Sequence, residues 1–277
     1  MSDHINSSIV VIIMQFLSRL SLTALLILGL HLCFTPIQSH ECVNEFSLRK
    51  HELKEYLLPN DHPLQSALKN IFNDSNMFES PSHWHLAGFQ VLDRVHRNLM
   101  LARHPSIKNY LFKKFSNPIS QKDQVNNYLK RISGARSLRT FIAKNRLQHI
   151  TVPKKWLYQL PKKFNDSKTK EKTYILIVEE MDICSGGADP FGEVAQKYYH
   201  IEDEVLRELC IVLYHFRGLD SMLHNMPFTY QNKIAFIDTE KWKIKRKGYL
   251  RNAMQFLSPE KQAYALAIFQ ELENQNQ

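Results

Sequence analysis

Cysteine is scarce in this chain, and the positions of the cysteines exclude two kinds of site. The 277 residues include four cysteines, and no two of them form a CxxC pair. The chain therefore has neither a disulfide framework nor the ligand spacing of a zinc site. It also lacks internal repeats and any recognition-helix signature, so no nucleic-acid partner is expected. Cys210 lies on an apolar helical face and is expected to be a buried hydrophobic residue.

Acidic residues are fewer than basic ones. The formal net charge is +9 and the isoelectric point is near 9.3. A solvated basic face explains such an excess, and the alternative is attraction to an anion such as a nucleotide phosphate or an acidic lipid surface. The hydrophobic fraction of 44% is ordinary for a globular protein. A chain of this length buries one core, with or without an additional segment.

The N-terminal segment has two apolar runs, Ile9–Met14 and Leu20–Phe34, which Arg19 separates. A short apolar run with a basic residue before it and polar residues after it is typical of a signal peptide. The rival interpretation is an uncleaved membrane anchor, because residues 9–34 together exceed the length that crosses a bilayer. We therefore expect residues 1–40 to be a signal peptide or membrane anchor, and the protein to be exported or membrane-anchored.

The rest of the chain changes from strand-like to helical patterns along its length, which predicts an α+β fold. We predict a helical N-terminal extension over residues 41–82, a β-rich part over residues 83–182 and a mainly helical part over residues 183–277. The predicted strands are Leu86–His96, Asn98–Arg103, Tyr110–Phe115 and Tyr174–Glu179, with a hairpin formed by Ile150–Val152 and Trp156–Tyr158. The predicted helices are Glu45–Leu58, Pro63–Phe72, Asp123–Lys144, Glu202–Phe216 and one that begins with Ser258 as its cap.

Three polar residues near the C-terminus have a spacing typical of phosphoryl transfer. Asn225 follows Asp220 by five residues, and Asp238 follows Asn225 by thirteen. In that chemistry one Asp accepts the proton of the acceptor hydroxyl, while the Asn and the second Asp hold Mg²⁺. The structural alternative is turn chemistry, because Asp and Asn commonly cap turns between helices and strands.

These residues and their surroundings resemble the protein-kinase-like superfamily, which includes protein kinases and the aminoglycoside and choline phosphotransferases. The resemblance covers roughly residues 84–260 and implies a two-lobed fold with a minimal helical C-lobe. It implies that Asp220 is the catalytic base and that Asn225 and Asp238 are the metal ligands. The triplet Asp238-Thr239-Glu240 is closer to the I-D-x-E of the small-molecule phosphotransferases than to D-F-G.

The resemblance also implies a nucleotide site, with ATP and Mg²⁺ as cofactors. Tyr110-Leu111-Phe112-Lys113 resembles the V-A-I-K strand, so Lys113 is the candidate phosphate-binding lysine and Lys114 is its rival in register. The strand Tyr174–Glu179 resembles the one that leads into the hinge, where Glu179 and Met181 would meet the nucleotide. A solvated strand residue is the structural alternative for Lys113.

The sequence departs from the family pattern at several positions. The region of residues 86–96 has Gly88 but no G-x-G-x-x-G, and Met222 stands where the loop lysine is expected. The helix after Lys113 offers no Glu to pair with it; Arg131 and Arg136 lie there instead. An exposed helix face explains both arginines, and the alternative is that one of them pairs with Asp238 or with a phosphate.

Two functional hypotheses follow from the resemblance, and a third does not need it. The first is a phosphotransferase whose acceptor, a protein or a small molecule, is unknown. The second is a catalytically impaired pseudokinase that acts as an exported or membrane-anchored binding or scaffold protein. The intact Asp220, Asn225 and Asp238 favour the first hypothesis, and the missing glycine loop, Glu and loop lysine favour the second. The third is an exported helical binding protein unrelated to kinases.

Overall fold

The structure is a computed structural model that describes residues 53–72, 81–92, 99–115, 120–160, 174–184, 192–244 and 251–275. The apolar runs at Ile9–Met14 and Leu20–Phe34 and the first part of the helix predicted at Glu45–Leu58 lie outside these ranges. The described residues combine helices with an antiparallel sheet, so the predicted α+β class is confirmed. None of the helices in the described ranges has the length and apolar character needed to cross a membrane.

The sheet has five strands in the order β1-β2-β3-β6-β5, and every neighbouring pair is antiparallel. Its strands are β1 (Gln90–Leu92), β2 (Leu99–His104), β3 (Ile107–Phe115), β5 (Lys155–Gln159) and β6 (Tyr174–Glu179). The strand β6 lies between two others, and its first five residues are buried. This position explains why its sequence is a continuous apolar run rather than an alternation.

The two faces of the sheet pack against different partners, because successive side chains of a strand point to opposite faces. Leu111 and Phe115 of β3 and Leu157 of β5 pack with the long helix α3 (Gln121–Asn145). Phe112 and Ile177 lie in a separate cluster on the other face, which α1 (Leu64–Ile71) and α2 (Pro81–Leu86) cover; that cluster also contains Leu68, Phe72, Trp84 and Phe89.

The helix α3 belongs to two hydrophobic cores. Ser120 caps its N-terminus by accepting a hydrogen bond from the Asp123 amide, and Arg146 ends it in the left-handed conformation. Tyr128, Leu129 and Ile132 pack on the sheet, while Ala135 and Leu138 pack in the core of the helical part. A single helix therefore connects the sheet to the helical part.

The helical part contains α4 (Glu193–Tyr199), α5 (Asp203–His215), α6 (Arg251–Met254) and α7 (Pro259–Asn274). A short 3₁₀ turn at Leu223–Asn225 follows α5, and a two-stranded parallel ladder joins β4 (Ile150–Thr151) to β7 (Ile234–Ala235). The Ser258 hydroxyl accepts from the Lys261 amide at the start of α7, as expected for an N-cap. Cys210 is 2% exposed, which confirms that it is a buried hydrophobic residue.

Three predicted elements differ from the structure within the residues that it describes. Ile150–Val152 and Trp156–Tyr158 do not form a hairpin, because β4 pairs with β7 while β5 pairs with β6. The connection through Pro153, which has no N–H to donate, carries the chain from one ladder to the next. The predicted strand Leu86–His96 begins as the end of α2, and Gly88, with φ of +83°, separates that helix from the short β1. Within the predicted helix Glu45–Leu58, the described residues form only a 3₁₀ turn, after which the Leu58 amide donates to the Leu157 carbonyl.

Candidate functional site

Successive side chains of β3 point to opposite faces of the sheet, so only one of its two adjacent lysines faces α3. Lys113 lies between Leu111 and Phe115, and both of these neighbours pack on the α3 side of the sheet. Lys114 projects to the opposite face and is 2% exposed. Lys113 is also the lysine whose charge interacts with Arg131 of α3 and with Asp238. Of the predicted site residues, Lys113 and Asp238 are therefore near enough for their charges to interact.

Arg131 joins α3 to the turn that contains Asp238. Its Nη1 donates to Asp238 Oδ1 at 3.2 Å, and its Nη2 donates to Glu240 Oε2 at 2.6 Å. The Arg131 side chain is 12% exposed, so both ion pairs are only partly screened by solvent. The structure therefore pairs one of the two α3 arginines with Asp238, which is one of the two alternatives for these side chains. Arg136 instead contacts Glu55 and the ring of Tyr56.

Backbone contacts also hold this turn against α3. The Thr239 hydroxyl donates to the Arg131 carbonyl at 2.7 Å. Gly134 provides the close approach, because a Cβ there would lie 2.1 Å from the Thr239 carbonyl oxygen and 2.7 Å from Trp242 Cδ1. Only glycine permits two backbones to come this close. The segment Asp238–Glu240, which we call the acidic turn, is thereby fixed to the middle of α3.

Lys155 is a site residue that the sequence analysis did not identify. It begins β5 and shares the α3 face with Leu157, so its ammonium group reaches the acidic turn. The Nζ atom donates to the Ile237 carbonyl and to the Thr239 hydroxyl, both at 3.0 Å. Lys155 is 2% exposed, although it follows a Pro-Lys pair that suggests a surface loop. The sequence signal that could have identified Lys155 is its position two residues before Leu157, which places both side chains on the same face of the strand.

The ionisable groups of this cluster have shifted pKa values. Burial, together with the nearby Arg131 charge, lowers the pKa of Lys113 to about 8. Burial and the Lys113 charge lower the pKa of Lys155 well below its ordinary value. Burial raises the pKa of Asp238, but Arg131, Lys155 and Lys113 together lower it more, so the net pKa lies below the ordinary value. Asp238 is therefore a carboxylate at neutral pH.

Asp220 and Asn225 make local turn contacts. Asp220 Oδ1 accepts from the Met222 backbone amide at 3.3 Å, and the Asn225 backbone amide donates to the Met222 carbonyl at 2.8 Å. The Asn225 carbonyl accepts from the Ile237 amide at 3.0 Å, so the segments of the two predicted metal ligands are adjacent. Gly218 packs against the segment after the acidic turn, since a Cβ there would lie 2.0 Å from the Lys241 carbonyl oxygen. No contact of the described residues joins the Asp220 side chain to Lys113 or Asp238.

The predicted hinge residues follow β6. The Glu179 carboxylate accepts from the Lys154 amide at 3.1 Å, which gives this side chain a structural role. The chain continues past Met181 to an isolated antiparallel bridge between Ile183 and Thr229, and the Tyr230 amide donates to the Asp182 carbonyl. Met181 itself is partly buried, and its backbone amide has no hydrogen-bond partner among the described residues.

The residues of this site fit a bound Mg²⁺ poorly in this arrangement. Mg²⁺ prefers near-octahedral oxygen ligands. Asp238 Oδ1 already accepts from Arg131 and from the Glu240 amide, and three basic side chains surround the carboxylate. No cluster of three His, Cys, Asp or Glu side chains with metal-binding geometry occurs in the described ranges.

Comparison with known proteins does not identify the chain: no protein-family model matches it, and a search of curated proteins finds no match.

Proposed function

We propose that this chain is a protein-kinase-like binding protein in which phosphoryl transfer is impaired, a pseudokinase of exported or membrane-anchored location. The observation that carries the proposal is the pairing of Arg131 with Asp238. In the family that the sequence resembles, the helix after the lysine strand supplies a Glu for that lysine, and the Asp of the later triplet binds Mg²⁺. Here the helix supplies an Arg, and this Arg binds the Asp directly.

The order of elements supports the kinase-like part of the proposal. The lysine strand β3 precedes the long helix α3, which is followed by β4, β5 and the strand β6 that leads to the predicted hinge, and finally by a small helical part. This is the order that the resemblance implies for a two-lobed fold with a minimal helical C-lobe. The interaction between the charges of Lys113 and Asp238 supports the same assignment, because these residues are 125 positions apart in the sequence.

Impairment of transfer is supported by the charge around Asp238. A carboxylate that holds Mg²⁺ must offer its lone pairs to the ion, whereas the Oδ1 atom of Asp238 accepts from a guanidinium and from an amide. Because phosphoryl transfer depends mainly on positioning and on the metal ions, the loss of one metal ligand removes most of the rate enhancement. A binding or scaffold role needs only the fold and its surface.

A phosphotransferase is the second candidate, and one contact favours it. The hydrogen bond between the Asn225 carbonyl and the Ile237 amide keeps the two predicted metal ligands in neighbouring segments. If a substrate drew Asp238 away from Arg131, Asn225 and Asp238 would be available to Mg²⁺ and ATP, with Asp220 as the base. The acceptor would be a protein or a small molecule.

A turnover assay distinguishes the two candidates. The full chain, its Asp220→Asn variant and its Asp238→Asn variant are incubated with ATP and Mg²⁺, and phosphate release and self-phosphorylation are measured. We expect all three proteins to give the same background rate. A wild-type rate that falls by roughly a hundredfold or more in Asp220→Asn would contradict the proposal and establish the phosphotransferase. Glu204→Gln, an exposed change on α5, is the matched control for preparation quality.

A further inference from the structure

A groove lies where the C-terminal end of α3 meets β4. Its volume is about 440 Å³, which is within the range of ligand-binding pockets in proteins. The helix lines it with Arg139, Ile142 and Arg146, and the chain after the helix lines it with Leu147 and residues 150–152. We call this the β4 groove, and none of its lining residues belongs to the candidate site described above.

One edge of β4 lacks a partner strand in the described part of the chain. The carbonyls of His149 and Thr151 accept from amides of β7. Alternate residues of a strand point their N–H and C=O groups to opposite edges, so Ile150 directs both groups away from β7. The backbone groups of Ile150 and Val152 have no hydrogen-bond partner among the described residues, although such groups are normally paired in folded proteins.

The β4 groove borders this unpaired edge. Successive side chains of a strand point to opposite faces, so a cavity that touches the three consecutive residues 150–152 touches the edge of the strand and not one face alone. The other edge is occupied by β7. The unpaired N–H and C=O groups therefore face the groove, where they can pair with an added strand.

The two arginines of the β4 groove have no carboxylate partner in the described ranges. Arg139 Nη1 donates to the Pro153 carbonyl at 3.2 Å, Arg146 is exposed, and neither arginine takes part in a salt bridge of the described residues. Burial and the charge of Arg136 lower the pKa of Arg139, and the charge of Glu179 offsets this only in part. The groove therefore attracts anionic groups.

We propose that the β4 groove binds an extended acidic segment of a partner protein, which pairs as an added strand with the unpaired edge of β4. The edge forms the backbone hydrogen bonds, and Arg139 and Arg146 bind the carboxylates of the segment. Ile142 and Leu147, which are partly exposed, contact its apolar side chains. The inference goes beyond the proposed function and does not depend on it, since the groove shares no residue with the candidate site.

The chemistry of the β4 groove favours an acidic peptide over two other occupants. A second copy of this chain also has a net charge of +9, so repulsion opposes its association through a basic groove. An anionic lipid has carboxylate or phosphate oxygens but no row of N–H groups, so it would leave the Ile150 carbonyl unpaired. An extended acidic peptide supplies N–H groups, carbonyls and carboxylates together.

Selection of binders from a random peptide library on the full chain tests the inference. We expect the enriched peptides to combine Asp or Glu with apolar residues. Their affinity, measured by fluorescence anisotropy, should fall as the salt concentration rises, because the arginine contacts are partly exposed. A selection that enriches no peptide, or one that enriches basic peptides, would overturn the inference.

A pair of charge reversals at the end of α3 connects the binding to the β4 groove. Arg146→Glu should weaken the binding of the enriched peptides by about tenfold or more, because a carboxylate in the groove then repels them. Lys144→Glu makes the same change of charge at an exposed α3 residue outside the groove lining, and it should weaken binding by no more than about twofold. Equal weakening in both variants would reveal a general attraction of charge and contradict the inference.

Methylation of peptide backbone nitrogens tests the strand pairing. An added strand bonds to its neighbour through alternate residues, while the N–H groups between them point away. Methylation of one alternate set should therefore abolish binding, and methylation of the other set should weaken it far less. The same loss from both sets would show that the peptide does not pair with β4.

Two measurements on the same variants identify the other occupants. The first is flotation with phosphatidylcholine vesicles that contain or lack phosphatidylserine, and the second is sedimentation of the chain alone. Phosphatidylserine-dependent binding, or dimerisation, that Arg146→Glu abolishes and Lys144→Glu preserves would assign the groove to a membrane surface or to a second copy. Either result would overturn the inference. The turnover assay decides the proposed function separately, because Asp220 does not line the groove.

Discussion

At the scale of single residues, Lys113 and Lys155 show two ways in which a fold keeps a lysine away from bulk solvent. Lys155 keeps two hydrogen bonds to neutral oxygens, and Lys113 keeps partial access to solvent. Both lysines nevertheless have lowered pKa values, so the charged form of each side chain is less stable in the folded chain than in the unfolded one.

We predict that Lys113→Met stabilises the protein at neutral pH. The pKa of Lys113 falls from 10.5 to about 8 on folding, so below pH 8 the charge destabilises the folded state in full. Between pH 8 and pH 10.5 the folded protein loses this proton before the unfolded chain does, and the free energy of unfolding of the wild type rises. The variant should therefore be more stable by roughly 1–3 kcal/mol at pH 7, and the difference should shrink as the pH approaches 10.5.

The measurement is urea unfolding of wild type and variant across this pH range. The other charged groups that face Lys113 are Arg131, Lys155 and Asp238, and Lys155 contributes with the same sign. Lys108→Met provides the control and should change the free energy of unfolding by less than about 0.5 kcal/mol. A Lys113→Met protein that is less stable than wild type at pH 7 would mean that Lys113 forms a strong ion pair in solution.

At the scale of elements, Glu208 holds the connection between α3 and β4 in place. Its two carboxylate oxygens accept from consecutive backbone amides, Gln148 at 2.8 Å and His149 at 2.7 Å. The residue belongs to α5 and is 9% exposed, so a helix of the helical part fixes the loop at the end of the sheet-covering helix. Hydrogen bonds to a buried carboxylate are stronger than those between neutral groups.

We predict that Glu208→Gln lowers the free energy of unfolding by about 2 kcal/mol, because one backbone amide then faces an amide donor in place of an oxygen. Glu204→Gln, on the exposed side of the same helix, should cost no more than about 0.5 kcal/mol. Thermal unfolding of the two variants at neutral pH measures the difference. Equal losses would mean that helix charge, rather than the two hydrogen bonds, determines the effect.

Most of the elements could be predicted from the sequence, and their pairing could not. The pattern of Asp123–Lys144 and of Glu202–Phe216 predicts α3 and α5 closely, since both helices have an apolar stripe and defined ends. The partners of β4 and β5 depend on contacts between residues far apart, such as Ile150 with Ile234. Short apolar runs carry no information about which ladder they join, so the expected hairpin was wrong.

The candidate site was predictable to a similar extent. Motif spacing selects Lys113 and Asp238 as candidates, and their roles stay predictions, while the structure shows that their charges interact. Arg131 had two alternatives in the sequence, and its position on the inner face of α3 decides between them. Lys155 and Gly134 matter only because of how β5 and α3 approach the acidic turn, and this approach is a tertiary property.

At the scale of the whole molecule, the N-terminal segment is the part of the sequence from which we predict the location of the protein. We propose that residues 1–40 direct the chain into or across a membrane, because Leu20–Phe34 is a long apolar run after Arg19. The full chain expressed in cells should therefore appear in the membrane or secreted fraction. Leu26→Arg should shift it to the soluble cytosolic fraction, since a charge at the centre of such a run costs about 2.5–3.5 kcal/mol.

Asn6→Arg, which lies before the apolar runs, is the matched control and should leave the distribution unchanged. Sequencing of the mature N-terminus then separates a cleaved signal peptide from a retained anchor. A wild-type protein found wholly in the cytosol would refute the export proposal without affecting the turnover result.

The contact at Gly134 has a consequence for how the molecule can respond to a ligand. The α3 backbone touches the Thr239 carbonyl with no side chain between them. A layer of side chains can change rotamers and absorb a small displacement, but two backbones in contact cannot. A shift of α3 by even one ångström must therefore carry Asp238 with it. A partner protein that binds the outer surface of this helix would then move the acidic turn as directly as a ligand bound beside it.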